Sequence, residues 1–406
     1  MIKRTTKELC AVCKGSRRLC GASICPILVK KSMQYISARI SKTELNGYSE
    51  WLLVGEYGYP KLRYGPISAI TTVPWRPEEW ARDGLDFSEI LRLRIQTMYP
   101  FQRRNVDRPP DIYEPLGESI VSVEPVGIEL FLKKPPRMRM RFDADIPPVG
   151  GSAPLSRVEL EDNPKVPRRI ESIIMDRLKA YEAVRALYDV GASIYYIQKI
   201  FSAGFLGISG RKRIVPTRWG ITAVDSILGN SFLREIRGAP SISGSELYFW
   251  EYLGNRYYLV LIPSDFWAME MFEVWLPNSV WVSGIGRPIV IQNHEDYDGK
   301  PIRMDGGYYA IRMGALEWLR KQNRISMVLA VRIITPRYIA PVGNWQIRES
   351  IRLALERGPI ARGEVHELIS MMREMEPSLR FIDFNTRSWL LRRMRIPKLD
   401  EFLRRA

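Results

Sequence analysis

Residues 247–262, LYFWEYLGNRYYLVLI, carry a strong β signal. Two runs rich in aromatic and β-branched side chains flank Gly254-Asn255, a dipeptide that suits a tight turn. The stretch therefore predicts a β-hairpin. Working outward from it, we expect further strands near residues 272–276, 280–283, 288–292 and 326–334, with one helix over residues 309–321 among them.

Helical spacing and short strands alternate in the rest of the chain. Apolar side chains recur every three or four residues over 168–190, and Ser193 is placed to cap a second helix that reaches about residue 203. Short strands are predicted at residues 51–55, 119–123 and 127–132. The fold class that follows is α+β: a mixed-sheet core with a helical C-terminal region.

The charge balance indicates the class of partner. Lys and Arg number 61 and Asp and Glu 45 among 406 residues, which gives a net charge of +16. That excess favours a polyanion, nucleic acid before an anionic membrane. No apolar run reaches the roughly 18 residues of a membrane span, and no apolar signal core follows the basic N-terminus. We expect a cytoplasmic protein without a membrane partner.

All the cysteine lies in one short segment, as Cys10, Cys13, Cys20 and Cys25. A Cys-x2-Cys pair can turn two thiolates toward one ion, and the other two cysteines can complete a tetrahedral set. The segment predicts a metal knuckle with zinc in a structural role, because four thiolates leave no open position for water. An iron–sulfur cluster and disulfides stay open as alternatives.

Two strings are rich in basic side chains, and one of them also carries an aromatic ring. Residues 211–219 place four positive charges beside an indole, and residues 165–169 lie at a predicted helix start. Arginine forks onto phosphate, and tryptophan stacks on bases. We expect both strings to face one concave surface; the alternative is a solvated charged loop with Trp219 packed into the core. The predicted nucleic-acid- or phosphate-binding residues are Lys165, Arg168, Arg169, Arg211, Arg213, Arg218 and Trp219.

The segment 293–299 gathers His294 with several carboxylates, a combination that suits a general base. The alternative is a polar turn between strands, with Asp298-Gly299 as the turn dipeptide. If the protein is an enzyme, a question that the sequence leaves open, its catalytic carboxylates are expected among Asp225, Glu295 and Asp296.

The end of the chain carries an apolar cluster, formed by Ile396, Leu399, Phe402 and Leu403. In a single tight helical turn these side chains converge on one side. Such a plug suits a hydrophobic pocket on a partner, and the alternative is a tail that folds back onto its own core.

Taken together, these strings resemble the Nre family of archaeal DNA repair proteins. The resemblance covers nearly the whole chain and rests on the cysteine segment Leu9–Pro26, residues 54–60 (VGEYGYP), 163–169 (NPKVPRR), 215–225 (VPTRWGITAVD), 306–310 (GGYYA) and 338–345 (YIAPVGNW). It implies a role in DNA damage tolerance, a four-cysteine zinc-finger-like N-terminus and a tail that binds the sliding clamp, proliferating cell nuclear antigen.

The clamp motif of that family has the form Gln-x-x-aliphatic-x-x-aromatic-aromatic. Leu399 and Phe402 match it, whereas Ile396 stands in place of Gln and Leu403 in place of the second aromatic residue. The expected domains are the knuckle (1–31), a mixed α/β core (32–344), the helical region (345–395) and the clamp-binding-like tail (396–403).

The expected function is that of a DNA repair factor. It binds DNA or a phosphate-bearing ligand through a basic face and docks on the sliding clamp through its tail. The alternative is a hydrolase or another enzyme that acts on nucleotides or modified DNA.

Overall fold

The computed structural model describes residues 8–15, 17, 19–20, 25, 27–28, 41–69, 75–137, 140–282 and 285–395. The chain divides into two compact units. The barrel unit comprises Gly15–Leu228 and Ala340–Gln346, and the sheet unit comprises Met1–Lys14, Gly229–Ile339 and Ile347–Ala406. The predicted boundaries, with one core over 32–344, do not follow this division, because the chain passes from unit to unit several times.

Five strands close into a barrel in the barrel unit. They are β1 (Glu44–Val54), β2 (Lys61–Ala69), β3 (Thr97–Asn105), β4 (Val126–Leu132) and β5 (Gly151–Leu160). Their order is β1-β2-β3-β5-β4, and β4 pairs again with β1. The β3–β5 pairing is parallel, and the other pairings are antiparallel.

The barrel has the strand order of an oligonucleotide-binding (OB) barrel, with a helix between β3 and β4. Its closure requires very close backbone approach at Gly65 of β2. A Cβ atom at this position would lie 1.9 Å from the carbonyl oxygen of Pro100 on β3, so only glycine fits. Inside the pairing, buried Leu130 of β4 stands opposite buried Val158 of β5.

Helices connect and follow the strands of the barrel unit, and the last of them continues into the sheet unit. They are α2 (Pro77–Arg82), α3 (Phe87–Ile95), α4 (Pro115–Val121), α5 (Arg168–Met175), α6 (Ala180–Asp189) and α7 (Ile194–Ala203), followed by α8 (Thr217–Ile236). As predicted, the Ser193 side chain caps α7, where it accepts a hydrogen bond from the Tyr195 amide. The helix predicted over 168–190 is instead two helices, because the chain leaves helical geometry at Asp176.

A six-stranded mixed sheet forms the centre of the sheet unit, in the order β11-β6-β7-β10-β8-β9. Its strands are β6 (Ser245–Tyr252), β7 (Asn255–Pro263), β8 (Ala268–Trp275), β9 (Ile289–Glu295), β10 (Ser326–Ile334) and β11 (Ala361–Gly363). The predicted hairpin is confirmed as β6 and β7, but its two turn residues are Leu253 (φ +46°) and Gly254 (φ +67°), one position before the predicted Gly254-Asn255, because Asn255 already pairs with Tyr252. Parallel pairing of β8 with β10 makes the sheet mixed.

Helices of the sheet unit are α1 (Glu8–Cys13), α9 (Gly306–Gln322), α10 (Trp345–Arg357), α11 (Val365–Met375), α12 (Phe384–Arg387) and α13 (Trp389–Met394). An apolar cluster buries Leu368 and Met372 of α11 with Val260 of β7 and Leu329 of β10. The α+β class and the largely helical C-terminal region are thereby confirmed.

Two predicted strands are wrong. Residues 119–123 fall largely in α4, since Pro115 starts a helix and the run is too short for periodicity to decide. Residues 280–282 form turns after β8, where the amide of Val282 bonds the carbonyl of Ser279. In the described residues no helix is long and apolar enough to cross a membrane.

Candidate nucleic-acid interface

The outer face of β2 and β3 carries exposed positive charge. Arg63 of β2 lies directly opposite Arg103 of β3 in the antiparallel register, so both side chains lie on one face. Lys61 and Arg63, two residues apart, are both exposed on that face. Opposed like charges destabilise a sheet, and the arrangement therefore favours a partner that brings negative charge.

An aromatic ring lies among these charges. The guanidinium of Arg63 is 4.6 Å from the ring centroid of Phe101, which is partly exposed on β3. A second exposed arginine, Arg141, lies beyond β4 on the loop to β5. Burial raises the pKa of Tyr99, and the charges of Arg141 and Arg63 oppose that rise, so both guanidiniums lie near one hydroxyl. We call Lys61, Arg63, Phe101, Arg103 and Arg141 the barrel face.

The barrel face has little internal neutralisation. In the part of the chain that the structure describes, Arg63, Arg103 and Arg141 form no ion pair, and Arg103 donates only to the carbonyl of Lys61. Arg103 also lies against the loop between β1 and β2. A Cβ atom on Gly58, which has φ +95°, would be 2.8 Å from its guanidinium. The same loop presents Tyr59, which is 73% exposed.

The second half of this sheet face is covered. Strand alternation places Trp51, Ile67 and Tyr99 on the same side as the barrel face, where they form a buried apolar cluster with Val149 and Ile221. Apolar packing therefore closes one end of the face, and the basic end stays open to solvent.

The basic strings predicted from the sequence lie in three different settings. Arg168 and Arg169 line a cavity of about 440 Å³ at the start of α5. Lys165, close by in sequence, pairs with Glu124 at 2.5 Å on the surface. Arg211 and Arg213 line another cavity, of about 390 Å³.

Arg218 is surrounded by carboxylates. Its guanidinium contacts Asp143, lies 3.3 Å from Asp145 and 3.4 Å from Glu56. These charges raise the pKa of Arg218 against the effect of burial. Three acidic neighbours would repel a phosphate, so the expected single phosphate surface from Arg168 to Arg218 is not what the chain forms. Trp219 next to it is 56% exposed.

The candidate catalytic carboxylates all have structural partners. Asp225 is fully buried, and Gln198 donates to it at 3.4 Å. Glu295 is buried against the guanidinium of Arg312. Asp296 pairs with Arg393 at 3.3 Å. The segment 293–299 continues β9 into a turn at Asp296–Gly299; the turn of the alternative interpretation is present, but the next element along the chain is α9 and not a strand.

The cysteine segment offers the donors that zinc prefers. Cys10 and Cys13 lie three residues apart on α1, and therefore on one face of that helix. No disulfide joins the four cysteines, all of which fall in described positions. The described residues do not, however, bring three or more His, Cys, Asp or Glu side chains together as a metal site. The donor chemistry fits zinc, and the assembled site stays a prediction.

The barrel face was missed in the sequence, although Lys61, Arg63 and Arg103 were visible there. Each basic residue stands in a short strand, and only the pairing of β2 with β3 places them side by side. Alternation of exposed Lys61 and Arg63 with buried Leu62 and Tyr64 was the available signal.

An OB-type barrel with an open basic and aromatic face defines the class of this protein. Comparison with known proteins identifies the family: the chain belongs to the archaeal Nre proteins. The model of the Nre N-terminal region matches residues 19–282, and that of the C-terminal region matches residues 294–402.

Curated relatives cover most of the chain. DNA repair protein NreA of Archaeoglobus fulgidus is 36% identical over 86% of this chain and 89% of the relative. DNA repair protein NreB of the same organism is 30% identical over 97% and 100%, and NreA of Haloferax volcanii is 32% identical over 78% and 79%. No solved structure matches the chain.

Proposed function

We propose that this protein is a DNA repair factor that binds single-stranded DNA on the barrel face. The repair role comes from the names of its relatives. The observation that carries the binding mode is the cross-strand pair Arg63 and Arg103, which has no counter-charge in the described residues and lies beside Phe101.

The physical argument rests on what a single strand offers. OB barrels bind oligonucleotides across strands 2 and 3 and the loop between strands 1 and 2. Arginines there can fork onto phosphates, and the exposed ring of Tyr59 and the partly exposed ring of Phe101 can stack on unpaired bases. Fold alone does not establish function, and these side chains supply the chemistry.

Arg63→Ala/Arg103→Ala is expected to weaken binding of a fluorescent single-stranded oligonucleotide by tenfold or more. Each charge-assisted hydrogen bond to phosphate contributes about 1.5–3 kcal/mol, and tenfold corresponds to about 1.4 kcal/mol. Fluorescence polarisation across a salt series measures the affinity. The wild type should also show the steeper decline with salt, because it neutralises more phosphates.

Arg324→Ala is the control, since it removes one exposed positive charge from the sheet unit. It should leave the affinity within about twofold of the wild type. If the double variant and the control weaken binding equally, net charge and not the barrel face binds the strand, and the proposal fails.

We propose, second, that the chain docks on the sliding clamp through its tail. Ile396, Leu399, Phe402 and Leu403 lie outside the described residues, so the support is the match of Leu399 and Phe402 to the clamp motif. Phe402→Ala removes the aromatic anchor and should weaken clamp binding, measured by calorimetry, by about 2 kcal/mol or more. Equal binding by wild type, Phe402→Ala and a chain ending at Arg395 would exclude the tail as the contact.

We propose, third, that Cys10, Cys13, Cys20 and Cys25 hold one zinc ion. The support is the four-thiolate donor set in one short segment. Elemental analysis of protein purified without chelators should give one zinc per chain, and Cys13→Ser should lower that occupancy. A brown protein with visible absorbance would assign an iron–sulfur cluster instead, and absence of any metal would exclude both.

A further inference from the structure

A cavity lined by aromatic rings and carboxylates lies in the barrel unit, apart from the residues of the barrel face. It has a volume of about 190 Å³, and its aromatic and basic wall is formed by Trp51 of β1, by Trp75, and by Tyr195 and Lys199 of α7. Its carboxylates are Glu50, Glu78 and Glu79. At about 30 Å³ per water molecule, this is room for about six waters, which corresponds to one flat ring system.

Trp75 is the centre of the aromatic wall. Its ring centroid lies 5.6 Å from that of Trp51 and 6.2 Å from that of Tyr195. Two further rings, Trp80 and Trp345, meet it edge-on at 4.9 and 6.1 Å. The guanidinium of Arg94 lies 4.9 Å from the same ring. These contacts fix Trp75 in position, so a ligand meets a prearranged aromatic surface.

Polar groups at the cavity wall are buried at a cost. The Trp51 side chain is 2% exposed, and its Nε1 has no hydrogen-bond partner in the described residues. Lys199 is 6% exposed, and its ammonium donates to the carbonyl of Ser122 at 2.7 Å. Glu50 lies at a β-bulge of β1 and pairs with Arg94 at 3.0 Å.

The Lys199 ammonium has three N–H donors and uses one on the Ser122 carbonyl, which favours a ligand with ring acceptors. The indole N–H of Trp51 is fully covered, and its unsatisfied donor is a cost of about 1–3 kcal/mol within the fold. Lys199 forms no ion pair with a carboxylate in the described part of the chain, and burial lowers its pKa to about 7. A buried lysine with a lowered pKa at the wall of a cavity is a candidate for a functional site.

The larger cavity with Arg168 and Arg169 adjoins this one. The two cavities share the wall residues Val123, Ser193 and Tyr196. Arg168 and Arg169 are exposed, and neither forms an ion pair with another described residue. A ring cavity therefore lies beside a pair of arginines suited to phosphate.

We propose that the two adjoining cavities form one nucleotide site, in which a heteroaromatic base occupies the Trp75 cavity and its phosphate lies at Arg168 and Arg169. The occupant is either a free nucleotide or one unstacked nucleotide of a DNA strand, since both present a base and a phosphate at short distance. The site uses no residue of the barrel face, so it goes beyond the proposed single-strand binding.

Calorimetry with deoxynucleoside monophosphates, the matching deoxynucleosides and inorganic phosphate tests the two halves separately. We expect a monophosphate to bind more tightly than its nucleoside or phosphate. Arg168→Ala/Arg169→Ala should weaken the binding of the monophosphate by about tenfold and leave the affinity for the nucleoside unchanged. Both arginines are exposed, so the variant is expected to fold. Arg177→Ala, an exposed arginine beyond α5 that lines neither cavity, is the control and should bind like wild type.

A second set of titrations separates the two sources of the nucleotide. Duplexes with and without one unpaired base are bound to an Arg63→Ala/Arg103→Ala protein that has a weakened barrel face. A preference for the unpaired base that Arg168→Ala/Arg169→Ala removes, without binding of free monophosphates, would assign the site to a strand. If no monophosphate binds and the preference is absent or unaffected by that variant, the nucleotide site is excluded, whatever the barrel face does.

Discussion

Replacing Arg312 with Met is expected to lower the free energy of unfolding by about 3–5 kcal/mol, because it leaves a buried carboxylate without its counter-charge. Arg312 of α9 is fully buried, and its Nε donates to both carboxylate oxygens of Glu295 at 2.6 and 2.9 Å. Trp267 also donates to Glu295. The indole alone cannot replace the charge that Met removes.

The loss should depend on pH with a definite sign. Burial raises the pKa of Glu295, and Arg312 opposes that rise, so the variant carries a carboxyl with a still higher pKa. A carboxyl whose pKa is raised in the folded state binds a proton that the unfolded chain has released, and stability falls as pH rises through that window. Urea denaturation of Arg312→Met should therefore show lower stability at pH 8 than at pH 5.

Glu295→Gln/Arg312→Met is the informative companion, since it removes both charges. The double variant should regain part of the lost free energy of unfolding, because it buries no isolated charge. A double-mutant cycle measures the coupling between the two residues. If Arg312→Met costs less than about 1 kcal/mol, or the double variant is as damaged as the sum of the single ones, the pair is not the stabilising unit that its geometry indicates.

Local sequence patterns predicted most strands of the sheet unit but not the topology of the barrel. The β6–β7 hairpin was predictable to within one residue of its turn, since the turn and both strands are contiguous in sequence. The barrel closes instead by pairing Leu45 of β1 with Leu130 of β4 and by a parallel pairing of β3 with β5. No periodicity within one segment encodes such distant partners, and of the five barrel strands only part of β1 and β4 were predicted, whereas β2, β3 and β5 were missed.

Arg218 and Lys199 show the same limit at the candidate sites. Arg218 was visible as a charge beside Trp219, but its neutralisation by Asp143, Asp145 and Glu56 depends on loops that lie far apart in sequence. Lys199 is a single lysine in an apolar helix, and the sequence pattern alone predicts that such a lysine is exposed to solvent. The packing of α7 against the barrel buries it.

Lys199→Met should raise the free energy of unfolding at pH 7 by about 2–3 kcal/mol. Burial lowers the pKa of Lys199 to about 7 from 10.5, a shift worth at most about 5 kcal/mol at 1.36 kcal/mol per unit. Met of similar length avoids that cost and loses about 1 kcal/mol from the hydrogen bond to the Ser122 carbonyl. A residue kept at such a cost in stability is typical of a functional site.

The pH dependence separates this explanation from simple repacking. Between pH 7 and 10.5 the unfolded chain keeps a proton on Lys199 that the folded protein has released, so wild-type stability should rise with pH across that window. The advantage of Lys199→Met should shrink accordingly from pH 7 to pH 9.5 in urea denaturation. Lys133→Met, at an exposed position after β4, should change stability by no more than about 0.5 kcal/mol at either pH. A Lys199→Met protein that is less stable than wild type at pH 7 would show that the buried ammonium stabilises the fold, and Lys199 would then be a structural residue.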